Sequence, residues 1–221
     1  MFTQDYLEFF KELAANNNKD WFDLNRKRYE NSVKKPFTNF VQSLINELAT
    51  SNPEFKDLTP SECTFRINRD IRFSKDKTPY KLYCSAVVAP GGKKSKAING
   101  IYFEFTPEHV NFYGGVYEAD KEEILLIREG IIKHHSKFKS LYSDKKFTNY
   151  FGEILGEKNK TLPKEMKEFG ENEDLLFNKQ WYFKTSFPAE LILEKDLIQK
   201  VKAAFEIASP IQTFFQQLIN A

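Results

Sequence analysis

Residues 64–82 read TFRINRDIRFSKDKTPYKL, and their alternation decides where the chain stops being helical. Phe65, Ile67, Ile71 and Phe73 share one parity; Arg66, Asn68, Asp70 and Arg72 share the other, the two-residue period of a β-strand. The pattern predicts a strand over residues 65–73 and a turn over residues 75–79. Arg69 breaks it, because its parity places a permanent cation on the apolar face. There it needs a carboxylate, a set of carbonyls or an anionic ligand, since an unpaired charge in low dielectric is expensive. Arg66, Arg69, Arg72, Lys75, Lys77 and Lys81 crowd into sixteen residues, with only Asp70 and Asp76 as counterweights.

Downstream the strand signals continue. Residues 82–89 form a second apolar run ending at Pro90-Gly91-Gly92, and residues 93–96 a basic loop. Residues 100–106 and 110–117 pair across Pro107-Glu108-His109. Connections this short favour an antiparallel meander over βαβ crossovers. Gly114-Gly115 reads as a bulge or tight strand bend, and Gly91-Gly92-Lys93-Lys94 as a hairpin tip.

Upstream the period is helical. Thr3 is placed to cap a helix carrying Tyr6, Leu7, Phe9, Phe10 and Leu13 on one stripe, stopped by Asn16-Asn17-Asn18. A second helix begins near Lys19 or Asp20 and carries Trp21, Phe22 and Tyr29 toward the core. A third follows Pro36 with Phe37, Phe40, Val41, Leu44, Ile45 and Leu48. Residues 51–60 are loop. After the strands, Asp120 and Glu123 make a capping-box start for a helix bearing Ile124, Leu125, Ile127, Ile131 and Ile132. Further helices are expected over residues 147–155, 194–208 and 211–219, the last two separated by Ser209-Pro210, with KQWYF (179–183) as a short last strand. Helices, then strands, then helices define an α+β class: an antiparallel meander flanked by N-terminal and C-terminal helices. One domain over residues 1–221 is expected, with N-terminal helices 3–50, sheet 64–118 and a C-terminal helical part 120–221.

Composition narrows the function classes. Thirty-three basic against 31 acidic side chains leave a net charge of +2, too balanced for non-specific nucleic-acid binding, so any anion site must be local. Twenty-two Phe and ten Tyr announce an aromatic-rich core. The N-terminus MFTQDYLEFFKEL lacks the basic and apolar regions of a signal peptide, and no apolar run approaches the roughly 20 residues of a membrane span. Cys63 and Cys84 lie 21 apart with no CxxC, and read as buried, reduced thiols of a cytoplasmic protein. His109, His134 and His135 have neither ligand spacing nor a paired nucleophile, and the last two suit a helix C-terminus.

The stretches NNNKDWFDLNRKRYE (16–30), FRINRDIRFSKDKTPYK (65–81), and IYFEFTP followed by YGGVY (101–117) together resemble a widespread microbial and fungal family catalogued as a domain of unknown function. The resemblance covers residues 2–187 and is weakest after Asp144. Its most specific element, RDxRFxxDKxPYK, falls on Arg69, Asp70, Arg72, Phe73, Asp76, Lys77, Pro79, Tyr80 and Lys81. One departure lies at Leu162–Phe169, which matches a Pro-x-Gly-like element of such proteins only loosely. The resemblance implies one α+β domain and supplies neither reaction nor ligand.

The candidate ligand-binding set is Arg66, Arg69, Asp70, Arg72, Asp76, Lys77, Tyr80 and Lys81. Arginine offers a planar fork matched to phosphate or carboxylate, and lysine a point charge. On a straight strand Arg66 and Arg72 stand about 20 Å apart, too far to grip one small phosphate together. Three readings stay open. The set forms an anion pocket for a phosphorylated small molecule or nucleic-acid backbone; or Asp70 and Asp76, joined by Glu104, serve a metal-assisted enzyme acting on such a ligand; or the charges form an internal salt-bridge network. The sequence calls for no cofactor, no resident metal and no membrane partner.

Overall fold

Tyr6, Leu7, Phe9, Phe10 and Leu13 share a stripe at helical spacing, and in the computed structural model, which describes residues 1–220, all five are buried along α1 (Gln4–Ala15). The chain's contacts gather into two compact units. One is Met1–Ser95 with Tyr102–Phe112 and Ser186–Lys202; the other is Lys96–Ile101 with Tyr113–Thr185 and the chain from Ala203 on.

In the first unit Thr3 occupies the N-cap of α1, but its side chain accepts no hydrogen bond there. The cap of α2 (Lys19–Leu24) is Asn18, whose side-chain oxygen accepts from the Trp21 N–H at 2.9 Å. The helix expected to start after Pro36 instead continues from α3 (Arg26–Arg28) through a π-helical turn, Tyr29–Lys34, into α4 (Lys35–Ala49). Proline removes a donor and crowds the carbonyl four residues back, so the widened turn sits where α geometry is hardest to keep. Phe37 and Phe40 of α4 pack on Phe103 and Phe105 with ring centroids 5.3–6.0 Å apart, and the Tyr6 hydroxyl donates to the Phe105 carbonyl at 3.0 Å. Residues 51–60 contain a 3₁₀ turn, Pro53–Phe55, whose Phe55 is fully buried, and then α5 (Pro60–Cys63), opened by a Thr59/Glu62 capping box.

The sheet is a four-stranded antiparallel meander, ordered β1 (Cys84–Val88), β2 (Ile101–Phe105), β3 (His109–Val116) and β4 (Trp181–Pro188), with helices at both ends of the chain. The α+β class therefore holds, but its first strand does not. Residues 65–73 form no strand; only single bridges pair Thr64 with Ala86 and Asn68 with Tyr80. The alternation had no layer to face: Ile67 is buried, whereas Phe65 is 38% and Phe73 94% exposed. Asp70 also turns its carboxylate onto the Arg72 N–H at 3.3 Å, a local bond that competes with a strand ladder. The fourth strand comes from the KQWYF region and runs on to Pro188.

In the second unit the Asp120/Glu123 capping box opens α6 (Lys121–Lys133), which buries Ile127 and Ile131. Next come α7 (His135–Tyr142), α8 (Lys145–Phe151) and the short α9 (Lys167–Gly170). The expected break at Ser209-Pro210 is absent, because α10 (Leu197–Ile219) carries Pro210 inside it. A proline there costs roughly 3 kcal/mol. The buried stripe of Phe205, Ala208, Ile211, Phe214 and Phe215 continues across it and offsets that cost. Phe138 stacks on Phe214 at 5.6 Å, while Phe147 and Phe151 meet Phe183 at 4.9 and 4.7 Å. Cys63 and Cys84 are free and buried, and no helix of the described residues is long and apolar enough to cross a membrane.

Candidate functional site

The motif segment is a loop closed at its base. The Arg69 N–H donates to the Pro79 carbonyl at 2.9 Å and the Lys81 N–H to the Ile67 carbonyl at 2.8 Å, on either side of the Asn68–Tyr80 bridge. Asn17, from the turn between α1 and α2, completes the closure. Its amide donates to the Tyr80 carbonyl at 2.9 Å, and its oxygen accepts from the Tyr80 N–H at 3.1 Å, so a side chain stands in for a strand neighbour. The Tyr80 ring stacks on Phe22 at 4.0 Å with 17° between planes.

Inside the loop the charges are sorted. Arg69 Nη1 donates to Asp76 Oδ2 at 2.5 Å, to the Thr78 carbonyl at 3.1 Å and to the Thr78 hydroxyl. Asp76 Oδ1 also accepts from the Thr78 N–H at 2.9 Å, an Asx turn that fixes the bend before Pro79. Arg72 grips Asp70 through Nε at 2.9 Å and Nη2 at 2.6 Å, and Lys77 Nζ donates to the Ile71 carbonyl at 2.9 Å. Arg66 and Lys75 are exposed and have no ion pair among the described residues.

Lys81 differs from the rest. Its ammonium is half-buried, 5.3 Å from the Phe65 ring centroid and 5.6 Å from that of Tyr83, with no hydrogen bond or ion pair among the described residues. Burial pushes it below the ordinary lysine range, Glu104 pulls it up and Arg66 pushes it down. Glu104 itself accepts a bond from the Tyr102 hydroxyl on β2.

These groups border a cleft of about 570 Å³ in the first unit, lined by Ala14, Asn17, Arg69, Asp70, Asp76, Thr78, Tyr80, Lys81, Leu82 and Tyr83. Of the residues expected from sequence, Arg69, Asp70, Asp76, Tyr80 and Lys81 meet at this cleft; Arg66, Arg72 and Lys77 do not line it. The 20 Å separation of Arg66 from Arg72 presumed a straight strand and does not apply. Asn17, Thr78 and Tyr83 were not among the expected site residues. Asn17 falls in the NNNKDWFDLNRKRYE stretch that carries the family resemblance, but nothing there gave it a site role. Thr78 was findable, since Asp-x-Thr before a proline is an Asx-turn signature; Tyr83 arrives only through the three-dimensional closure. Asp70 and Asp76 each face an arginine, and no cluster of three or more His, Cys, Asp or Glu disposed for a metal ion occurs among the described residues. His134 is the C-cap of α6 as expected, but His135 opens α7 instead of ending a helix: its Nε2 lies 3.0 Å from the buried Glu173, which also accepts from the Tyr142 hydroxyl at 3.0 Å.

The Asp76 carboxyl is held down from an ordinary 3.8 to about 2, first by the Thr78 N–H and then by Arg69. A depressed carboxylate stabilises the fold fully above its unfolded value and ceases to as pH falls through the folded one. Thermal melts against pH should therefore fall more steeply between 3.8 and about 2 for wild type than for Asp76→Asn. Equal slopes would mean that this carboxylate does not hold the loop.

Comparison with known proteins gives one match. A family model described as conserved hypothetical protein (DUF2461) matches residues 5–214, further along the chain than residue 187. No curated protein and no solved structure matches.

Proposed function

This chain belongs to the conserved hypothetical protein (DUF2461) family, whose description assigns no activity, and from that premise we propose that it is an anion-binding module whose ligand carries phosphate and docks at the Lys81 cleft. The observation that carries the reading is the Lys81 ammonium itself. It is half-buried beside an open cleft, braced by two rings, and without a carboxylate or carbonyl acceptor among the described residues. A partly desolvated cation without an acceptor is a standing cost that an entering anion removes. The two ion pairs of the motif support the same assignment indirectly. Arg69 and Arg72 are occupied by Asp76 and Asp70, so they hold the loop, and Lys81 is left for the ligand.

Calorimetric titration with pyrophosphate tests this. Lys81→Met keeps the apolar stem between Phe65 and Tyr83 and deletes the charge. A charge-assisted hydrogen bond contributes about 1.5–3 kcal/mol, so the variant should bind roughly ten- to a hundredfold more weakly, with a melting temperature no lower than that of wild type. Wild type that takes up no pyrophosphate, or a variant that binds it equally well, would sink the proposal.

A further inference from the structure

Phe73 is 94% exposed in a loop held on either side of it by the Arg72–Asp70, Lys77–Ile71 and Thr78–Asp76 hydrogen bonds. Solvent exposure of a whole phenylalanine ring is unfavourable by about 25 cal/mol per Å², so a loop built to hold one outward asks for a contact. Its surroundings specify the chemistry. Once Asp70 and Asp76 have taken Arg72 and Arg69, the cations Arg66, Lys75, Lys77 and Lys81 remain without a carboxylate ion pair among the described residues. The near-neutral chain therefore carries a local basic surplus in the same segment as the exposed ring. Phe73 stands three positions from Asp70 and three from Asp76, both of which line the cleft, so its Cα lies within about 11 Å of each.

We infer that the ligand of this site is single-stranded nucleic acid, with its backbone at Lys81 and neighbouring cations and a base stacked on Phe73. This deepens the anion-site reading and rests on it. A cationic surface tracks the phosphates, and an exposed ring takes any base, because every base has a π-face. A duplex buries those faces in its own stack and leaves Phe73 unused, which favours a single strand. The Arg72 guanidinium, paired with Asp70, lies 5.8 Å from the Phe73 ring centroid, so a base stacked on the ring would have a cation beside it.

The test is fluorescence anisotropy with labelled twelve-nucleotide oligo-dT and oligo-U, beside the pyrophosphate titration. Phe73→Ala should weaken oligonucleotide binding roughly tenfold or more while leaving pyrophosphate affinity unchanged. Phe73→Trp should restore binding and Phe73→Leu should not, because stacking needs a π-face and simple apolar contact does not. With up to four phosphates neutralised, the logarithm of the binding constant should fall against the logarithm of salt with a slope of about −2 to −3. Pyrophosphate binding without oligonucleotide binding would overturn this inference and leave the anion site standing; loss of both would remove both. Equal oligonucleotide binding by wild type and Phe73→Ala would also overturn it, as would Phe73-dependent sedimentation with anionic phosphatidylserine vesicles in place of oligonucleotide binding.

Discussion

Gly115→Ala should lower the melting temperature far more than Gly152→Ala, although both glycines hold a positive φ, +88° and +78°. Each substitution forces an L side chain into a backbone region it rarely adopts, at roughly 1–3 kcal/mol. Only Gly115 adds a collision. A Cβ there would stand 2.2 Å from the Trp181 carbonyl oxygen, whereas one at Gly152 meets nothing within 4 Å. Backbone of the neighbouring strand cannot swing aside like a side-chain tip, so β3 and β4 must separate locally. The Gly115 variant should lose at least about 2 kcal/mol more than the Gly152 variant, about 4–8 °C in a chain of this size. Similar melts for the two would show that the sheet yields at this point.

Tyr80→Ala should have the second large effect, on fold and site together. The residue is 6% exposed and stacked on Phe22, and removing such a ring costs about 3–5 kcal/mol. Its backbone is one half of the Asn17 clamp and of the Asn68 bridge, so a repacked ring displaces both ends of the loop. Pyrophosphate affinity should fall with stability. Tyr80→Phe separates the two contributions of the side chain. No hydrogen bond of the Tyr80 hydroxyl occurs among the described residues, so this variant should keep both properties near wild type. A Tyr80→Phe variant as damaged as Tyr80→Ala would move the role from the ring to the hydroxyl.

The helices were legible because their burial follows the sequence period: the stripes of α1 and α4 appear as read. Errors arose where a local rule met a tertiary one. Pro210 reads as a breaker, yet Phe205, Phe214 and Phe215 are buried on either side of it and the helix continues. Residues 65–73 alternate like a strand, yet alternation becomes a strand only with a partner ladder and an apolar layer, and neither is encoded in the segment itself. Its charges were readable as a cluster but not as pairs. Which arginine meets which aspartate depends on the Thr78 turn, and which lysine is left over depends on the rings of Phe65 and Tyr83. The cleft likewise joins Asn17 to Tyr80 across 63 positions, a distance over which period and propensity carry no information.

The two cysteines bracket the loop: Cys63 directly precedes Thr64, and Cys84 directly follows Tyr83. Burial pushes both thiols above the ordinary cysteine range, so at neutral pH the thiolate, the form that reacts, is scarce at either position. Alkylation of either must therefore wait for its surroundings to part. Modification at Cys63 clocks the opening of the loop where it enters, and modification at Cys84 clocks the release of the first strand where it leaves. The fold thus carries a stopwatch at each end of the segment, and the difference between the two rates tells which end lets go first.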